Sequence, residues 1–391
     1  MSRSALQTSL VVIQPTSFCN IDCRYCYLVD RDVHEPMSID TVRAIRDWLD
    51  ESGLLGDKVT VCWHAGEPLV LPAAFFAEAF DEFSKLEASG CRVHHSIQTN
   101  GTLATDAHCE VFVRHRLNVG ISIDGPKFIH DRNRVTRKGA GTFDAANAGL
   151  NRFLAHGISV SAISVVSSHT LAHSHAFYDA FVDMRIPVVG LNVEEIEGVN
   201  LISYIRSRSD FDAYKDFLRD LLKRSCDDGR VAFREFNHAL RSVYRADFEQ
   251  ISSEATPFHI VSFDHFGNFS TFSPELLDQT CEPYGRLQFG NARDVPFSKL
   301  ETQARYRRVA AEVEAGVERC AQECEYFGVC GGGAPSNKLA EHGTFDCART
   351  DFCDYARKAV FDVVVEAIES DPDLIERASR HGWWNDYVLT D

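Results

Sequence analysis

The feature that most limits the fold of this chain is a regular alternation of short apolar runs and amphipathic helical stretches in its first half. Six apolar runs predict strands, at residues 10–13, 58–63, 93–97, 119–123, 158–166 and 187–193. The first run contains no alternating polar residues, which is typical of a strand buried on both faces of a parallel sheet. Helical sequence lies between the runs, so the predicted fold class is α/β, with six βα units arranged as a partial (β/α)6 barrel that is open on one side.

The first predicted helix has recognisable ends. Ser38 is a typical N-cap, and Gly53 is a typical C-terminal stop. Between them Val42, Ile45 and Leu49 repeat with helical spacing and predict one buried face. The first βα unit is therefore predicted to end near residue 53.

Three cysteines, Cys19, Cys23 and Cys26, follow the first predicted strand with C-x3-C-x2-C spacing. A cubane [4Fe-4S] cluster normally takes four thiolates, so a triad leaves one iron free for a ligand that is not protein. A disulfide plus a spare thiol is one alternative, but the first ten residues do not resemble a signal peptide. That predicts a cytoplasmic protein, where disulfides are disfavoured. A zinc site is the other alternative, but it requires four ligands.

With Tyr25 just before the last cysteine, this spacing resembles the signature of the radical S-adenosylmethionine (SAM) enzymes. The resemblance implies that the open iron chelates the amino and carboxylate groups of SAM. It also implies reductive cleavage of SAM to methionine and a 5′-deoxyadenosyl radical, which takes a hydrogen atom from the substrate. The electron would come from a donor such as flavodoxin or ferredoxin.

Later loops resemble further motifs of that family. His64-Ala65-Gly66-Glu67-Pro68 resembles its G-G-E-P motif, with Ala65 in place of the first glycine. The polar residues after the third and fourth predicted strands resemble those that line the SAM ribose and methionine site, and Arg134, in preference to Arg132, is expected to pair with the SAM carboxylate. The cofactor-binding residues implied are Tyr25, His64, Gly66, Glu67, Pro68, Gln98, Asn100, Ser122, Asp124 and Arg134.

A second group of cysteines lies in the last third of the chain. Cys320, Cys324 and Cys330 are followed by a glycine run and then by Cys347 and Cys353. This resembles the SPASM extension of radical SAM enzymes that modify peptides and proteins, in which cysteines hold two auxiliary [4Fe-4S] clusters. The resemblance implies one auxiliary cluster here, held by Cys320, Cys324, Cys330 and Cys353, with Cys347 as the alternative fourth ligand.

The other auxiliary cluster is expected to be missing. Phe272 and Ala334 stand where the full SPASM pattern has cysteines, and the pattern does not decide the role of Cys281. A zinc knuckle is the alternative for the retained cysteines, because four-cysteine sites with similar spacing also bind zinc.

Composition and organisation set further limits. Thirteen cysteines in a chain without a recognisable signal peptide favour metal or cluster ligation. The net charge of −17 argues against a broad nucleic-acid footprint, and no apolar run is long enough for a membrane span. We expect a radical SAM partial barrel with a helical connector over residues 1–240 and a SPASM-like auxiliary-cluster domain over residues 241–391.

The full pattern looks most like peptide maturases that join an aromatic ring carbon to a β-carbon in ribosomally made, Gly-rich precursor peptides, forming cyclophanes. The alternative is formylglycine formation, as in anaerobic sulfatase-maturating enzymes. Ser273 occupies the place where that group is expected to carry a carboxylate, and no general base is assigned from the sequence. Glu194, Glu195 and Glu197 are expected to be solvated, with a basic peptide as their alternative partner. A non-catalytic zinc or iron-sulfur binding protein is the remaining alternative.

Overall fold

A computed structural model describes residues 7–203, 205, 207–245 and 252–381 of the chain. The strands are β1 (Thr8–Ile13), β2 (Ile21–Cys23), β3 (Leu55–Trp63), β4 (Arg92–Thr99), β5 (Asn118–Ser122), β6 (Arg134–Thr136), β7 (Val160–Val166), β8 (Val188–Val193), β9 (Ala232–Phe233), β10 (Ile260–Phe263), β11 (Asn268–Thr271), β12 (Thr280–Cys281), β13 (Gly285–Arg286) and β14 (Gly290–Asn291). The helices are α1 (Ile39–Ser52), α2 (Ala73–Ser84), α3 (Asp106–Arg114), α4 (Lys127–Asn133), α5 (Phe143–Ala155), α6 (Ser174–Asp183), α7 (Arg208–Asp228), α8 (Arg234–Arg245), α9 (Ala304–Glu323), α10 (Phe327–Cys330), α11 (Pro335–His342), α12 (Asp351–Cys353), α13 (Val360–Ser370) and α14 (Leu374–Arg380).

One large sheet organises the molecule. Its strand order is β14-β11-β10-β1-β3-β4-β5-β7-β8-β9. Every neighbouring pair from β10 to β9 is parallel, whereas β11 pairs antiparallel with both β10 and β14. The strands β1, β3, β4, β5, β7 and β8 correspond to the six predicted ones. The α/β fold with an open, partial barrel is therefore confirmed.

The C-terminal part of the chain extends this same sheet. β10 lies beside β1 in parallel, with Leu10 opposite Ile260. The segment predicted as a helical connector contains α7 and α8, and β9 between them adds a short parallel strand beside β8. The domain boundary after residue 240 stays a prediction, because the strands on both sides of it belong to one sheet.

An aromatic cluster fixes the end of β3. Trp63 is fully buried, and its ring meets those of Phe76, Phe80 and Phe83 edge-on at centroid distances of 5.7, 5.8 and 6.0 Å. Edge-to-face aromatic pairs stabilise a core beyond the area they bury. Because His64 follows Trp63 directly, this packing holds the loop that begins there.

The ends of α1 are as the sequence predicts. The Ser38 side chain accepts a hydrogen bond from the backbone N–H of Thr41, and Gly53 ends the helix in the left-handed conformation at φ 70°. Val42, Ile45 and Leu49 are buried against the sheet as expected. Among the helices in the described ranges, none combines the length and apolar character needed to cross a membrane.

Candidate active site

The three N-terminal cysteines lie on the loop that follows the carboxyl end of β1. Within this loop β2 pairs antiparallel with β6, which sets Cys23 opposite Arg134. Cys19, Cys23 and Cys26 are half-buried, and none of the thirteen cysteines forms a disulfide. The expected loop at a strand's carboxyl end, where α/β folds carry their chemistry, is therefore present.

The surroundings of these thiols suit cationic iron. Burial raises the pKa of both Cys19 and Cys23 to about 12. A thiolate in such a place requires a compensating cation, which a bound metal supplies. Asn100 Nδ2 lies 3.9 Å from Cys19 Sγ and Arg134 Nη1 lies 3.8 Å from Cys23 Sγ, so N–H donors also face the sulfur atoms. The chemistry of the donor set therefore fits an iron-sulfur cluster.

The loop after β3 packs directly on the cysteine loop. Ala65 and Gly66 both have left-handed backbones, with φ of 69° and 62°. A Cβ atom on Gly66 would lie 2.4 Å from the Thr16 carbonyl oxygen and 2.7 Å from that of Phe18. Glycine is therefore required at Gly66 by both conformation and space. Ala65, which departs from the family motif, adopts the conformation that a glycine would favour.

The buried residue Glu67 connects three loops through hydrogen bonds. It is 1% exposed. Its Oε1 accepts hydrogen bonds from the Leu69 N–H at 2.9 Å and the Thr99 hydroxyl at 2.5 Å, while Oε2 accepts from the Asn100 N–H at 2.8 Å. The Glu67 N–H donates to the Phe18 carbonyl at 2.8 Å. Burial raises the pKa of Glu67 to about 7. These contacts make Glu67 a positioning residue for the loops around it, and direct contact with SAM stays a prediction, as it does for Pro68 beside it.

Polar side chains from β4 and β5 share one face of the sheet. Gln98 lies opposite Gly120 in the register, and its Nε2 donates to the Ser122 hydroxyl at 2.9 Å. Asn100 follows β4, donates through Nδ2 to Asn20 Oδ1 at 2.9 Å, and so contacts the cysteine loop. The three predicted SAM-site residues Gln98, Asn100 and Ser122 are thus near the cysteines or near one another, and their contact with SAM stays a prediction.

Asp124 contacts both Arg134 and Tyr25. The Asp124 carboxylate is fully buried, its Oδ1 lies 3.1 Å from Arg134 Nε, and its Oδ2 accepts a hydrogen bond from the Tyr25 hydroxyl. The guanidinium carbon of Arg134 also lies 5.4 Å from the centre of the Tyr25 ring. Arg132 is exposed. In the described structure this group fixes the cysteine loop to the end of β5, and pairing of Arg134 with the SAM carboxylate remains a prediction.

A cavity of about 370 Å³, its open mouth included, lies between the cysteine loop, the loop after β3 and the C-terminal segment. Tyr27, His64, Ala65, Glu275 and Asp278 are among the residues that line it. Burial lowers the pKa of His64 to about 4 and raises the pKa of Glu275 to about 7. His64 is therefore neutral at neutral pH, and Glu275 can take or give a proton there.

The C-terminal cysteines lie around a second, smaller cavity, of about 320 Å³ with its open mouth included. Cys320, Cys324, Cys330 and Cys353 line it, and Cys347 is not among its lining residues. In the described ranges, no group of three or more His, Cys, Asp or Glu side chains converges as the ligands of a single metal ion would. The four thiols predicted as auxiliary ligands are thus brought to one cavity, while their binding of a cluster stays a prediction.

The positions of the missing cysteines are filled by side chains of the core. Phe272 is fully buried with φ 75°, and Ala334 is 7% exposed. Cys281 lies on β12, half-buried, opposite Gly285. None of the three lines the cavity formed by the four C-terminal thiols.

The expectation that the glutamates after β8 are solvated is wrong. Glu194 is 7% and Glu197 6% exposed, because the loop that carries them lies under the C-terminal segment. Asn337 of α11 donates a hydrogen bond to Glu195 Oε2, and burial raises the pKa of Glu195 to about 8. The signal was available in the sequence, because these residues follow a barrel strand at its carboxyl end.

The sequence analysis also missed a carboxylate beside Ser273. The Ser273 hydroxyl donates to Glu254 Oε2 at 3.1 Å, across a sequence separation that the local pattern does not reveal. Burial first, and then Glu254, raises the pKa of Glu275, so these carboxylates are neighbours. The lack of a carboxylate near Ser273 therefore no longer distinguishes crosslinking from formylglycine formation.

Comparison with known proteins identifies a family and several similar proteins. Residues 13–180 match the family described as the radical SAM superfamily. The uncharacterized protein sll1766 of Synechocystis sp. is 37% identical over 370 residues, which are 93% of this chain and 92% of that protein. A serine-type anaerobic sulfatase-maturating enzyme of Bacteroides thetaiotaomicron is 24% identical over 362 residues, 84% of this chain and 83% of that enzyme.

Solved structures share the fold. The structure of anSMEcpe with bound AdoMet and Cp18Cys peptide has a TM-score of 0.73 at 21% identity and covers 95% of this chain and 99% of its own. Streptococcus suis SuiB bound to the precursor peptide SuiA has a TM-score of 0.62 at 14% identity and covers 89% of this chain and 76% of its own. Together with the sequence match and the cysteine loop at the end of β1, these findings show that the chain belongs to the radical SAM superfamily and uses a [4Fe-4S] cluster and SAM.

Proposed function

We propose that this radical SAM enzyme modifies a ribosomally made precursor peptide by joining an aromatic ring carbon to a β-carbon, which gives a cyclophane. We place the reacting residues of the substrate at the cavity between the cysteine loop and the C-terminal segment, because Tyr27, His64 and Glu275 line it. Similarity to a sulfatase-maturating enzyme, and a fold shared with SuiB bound to its precursor peptide, support a peptide or protein substrate.

The cofactor ligands in this proposal are two sets of cysteines. Cys19, Cys23 and Cys26 hold the cluster that binds SAM, and the thiols of the second cavity hold one auxiliary cluster. When bound, SAM and the clusters supply the removal of one hydrogen atom and the acceptance of one further electron. A donor of the flavodoxin or ferredoxin class would supply the electron that starts each turnover.

The protein's own residues orient the peptide and handle one proton. The β-carbon loses a hydrogen atom, a carbon-carbon bond forms to the ring, and the ring then loses one electron and one proton, so the product is two hydrogens lighter. Holding the two carbons in near contact makes bond formation effectively unimolecular. Glu275 lines the cavity and, with a pKa of about 7, suits acceptance of the ring proton.

One observation carries the choice of crosslinking over its rival. A single cavity collects four cysteines, while Phe272 and Ala334 fill the other cysteine positions with buried apolar side chains. Formylglycine formation, as the resemblance to sulfatase-maturating enzymes implies it, uses a base next to the auxiliary cluster that would be missing here. One retained cluster therefore favours the crosslinking maturases.

Formylglycine formation is the second candidate, and one contact favours it. Glu254 Oε2 accepts a hydrogen bond from Ser273 at 3.1 Å, so a carboxylate stands near the place where such enzymes are expected to have their base. The similarity to a serine-type sulfatase-maturating enzyme over 84% of this chain supports the same candidate.

The two candidate reactions give different products with the same change in mass, because each removes two hydrogens from the peptide. The reconstituted enzyme should be incubated without oxygen with SAM, a reductant and a short peptide encoded beside its gene. Crosslinking predicts a product that does not react with a hydrazide probe and that shows a ring-to-β-carbon link by tandem mass spectrometry. A product that reacts with the hydrazide and carries no such link would refute crosslinking in favour of formylglycine.

A further inference from the structure

Four glutamates from distant parts of the chain form a carboxylate cluster, and one of them lines the cavity beside the cysteine loop. Glu195 and Glu197 follow β8, while Glu254 precedes β10 and Glu275 follows β11. The pKa of Glu197 is raised well above its ordinary value, by burial first and then by Glu275 and Glu195. These residues, named here the carboxylate cluster, are therefore mutual neighbours.

Glu197 provides an independent sign that this cluster takes a ligand. It is 6% exposed, its side chain contacts the Ser336 hydroxyl, and its Oε1 has no hydrogen-bond partner among the described residues. A buried carboxylate oxygen without a donor is costly, and native structures rarely leave one in that state. A hydrogen-bond donor for Glu197 Oε1 therefore has to come from outside the described residues, and a bound ligand can supply it.

The described partners of the cluster carry no positive charge. Within the ranges that the structure describes, no Lys, Arg or His forms an ion pair with any of its four members. The polar partners are neutral, with Ser273 donating to Glu254 and Asn337 to Glu195. Buried acidic residues are normally paired with a cation. Any negative charge that these four groups carry is consequently uncompensated among the described residues.

One member of the cluster reaches the cavity at which we place the reacting residues of the substrate. Glu275 lines the same cavity as Tyr27, His64 and Ala65, which belong to the cysteine loop and the loop after β3. The four carboxylates do not converge as ligands of a single metal ion would. A multivalent N–H donor that carries positive charge satisfies carboxylates spread in this way, and guanidinium and ammonium groups are such donors.

We propose that the carboxylate cluster binds a Lys or Arg side chain of the peptide substrate, and so selects peptides that carry a cationic residue near the reacting aromatic residue. This inference rests on the proposed peptide modification and adds a substrate class to it. The chain's net charge of −17 would also attract such a peptide. The raised pKa values of Glu195, Glu197 and Glu275 agree with carboxylates that lack their cation.

The test is a displayed peptide library treated with the anaerobically reconstituted enzyme and SAM, from which the modified peptides are selected. The library has randomised positions on both sides of one fixed Trp. Wild type should enrich Lys and Arg at one position by about tenfold or more, the gain expected for hydrogen bonds to a charged group. Glu195→Gln and Glu197→Gln should each lose that preference. Glu110→Gln, on the exposed surface of α3, should keep it.

The outcomes separate this inference from the function on which it rests. No enrichment of any peptide by wild type would contradict peptide modification itself. Enrichment without a Lys or Arg preference, or a preference that both Gln variants retain, would overturn the inference while leaving peptide modification standing. Thermal unfolding and the rate of SAM cleavage without peptide identify a variant that fails to fold. In that case the Lys or Arg preference of the other Gln variant of the cluster decides the test.

Discussion

Replacing Gly66 with Ala should disrupt the cysteine loop, and the structure supplies a matched control in Gly53. Both glycines have left-handed backbones, with φ of 62° and 70°, so each replacement carries the same conformational cost of about 1–2 kcal/mol. At Gly53 a Cβ atom meets nothing within 4 Å. At Gly66 it would lie 2.4 Å and 2.7 Å from the backbone carbonyl oxygens of Thr16 and Phe18, which cannot rotate away as a side chain can.

The overlap at Gly66 should add about 1–3 kcal/mol, the usual cost of overpacking a tight site. Gly53→Ala should therefore lower the free energy of unfolding by about 1–2 kcal/mol and Gly66→Ala by about 2–5 kcal/mol. Anaerobic urea unfolding of the reconstituted protein, followed by tryptophan fluorescence, measures both. Gly66→Ala should also abolish 5′-deoxyadenosine formation, whereas Gly53→Ala should retain it. Equal destabilisation by the two variants, with SAM cleavage intact in both, would refute the argument.

Three other changes test the same structure. Ala65→Gly should raise the free energy of unfolding by about 1 kcal/mol by relieving a left-handed alanine, and a loss of stability in urea would contradict this. Cys353→Ser should remove about four irons per chain while Cys347→Ser should keep them, and iron analysis giving the reverse would exchange their roles. Lys338→Met removes a buried ammonium 3.4 Å from Cys320 Sγ, so the reduction potential of the auxiliary cluster should fall by about 60–120 mV; an unchanged potential in redox titration would count against that cluster position.

Residues close together in sequence determined much of this site in advance. The C-x3-C-x2-C triad, the apolar run before it and the helix between Ser38 and Gly53 are local patterns, and local patterns fix strands, caps and short loops. The order of the six strands also followed from the sequence, because βα units join neighbouring parallel strands with one hand. The fold class and the position of the cysteine loop required no further information.

Only the tertiary structure decided which distant groups meet. It brought Asp124 to Arg134 and Tyr25, buried Glu67 among three loops, and left Cys347 outside the cavity that Cys353 lines. The contacts of Asp124 and Glu67 depend on how β3, β4 and β5 align in the sheet, which no local pattern encodes. The carboxylate cluster is the clearest case. Its members are ordinary charged residues in the sequence. The C-terminal segment contacts the loop after β8 through Asn337 and Glu195, and in the structure Glu197 is buried, the other three are half-buried, and none pairs with a cation among the described residues.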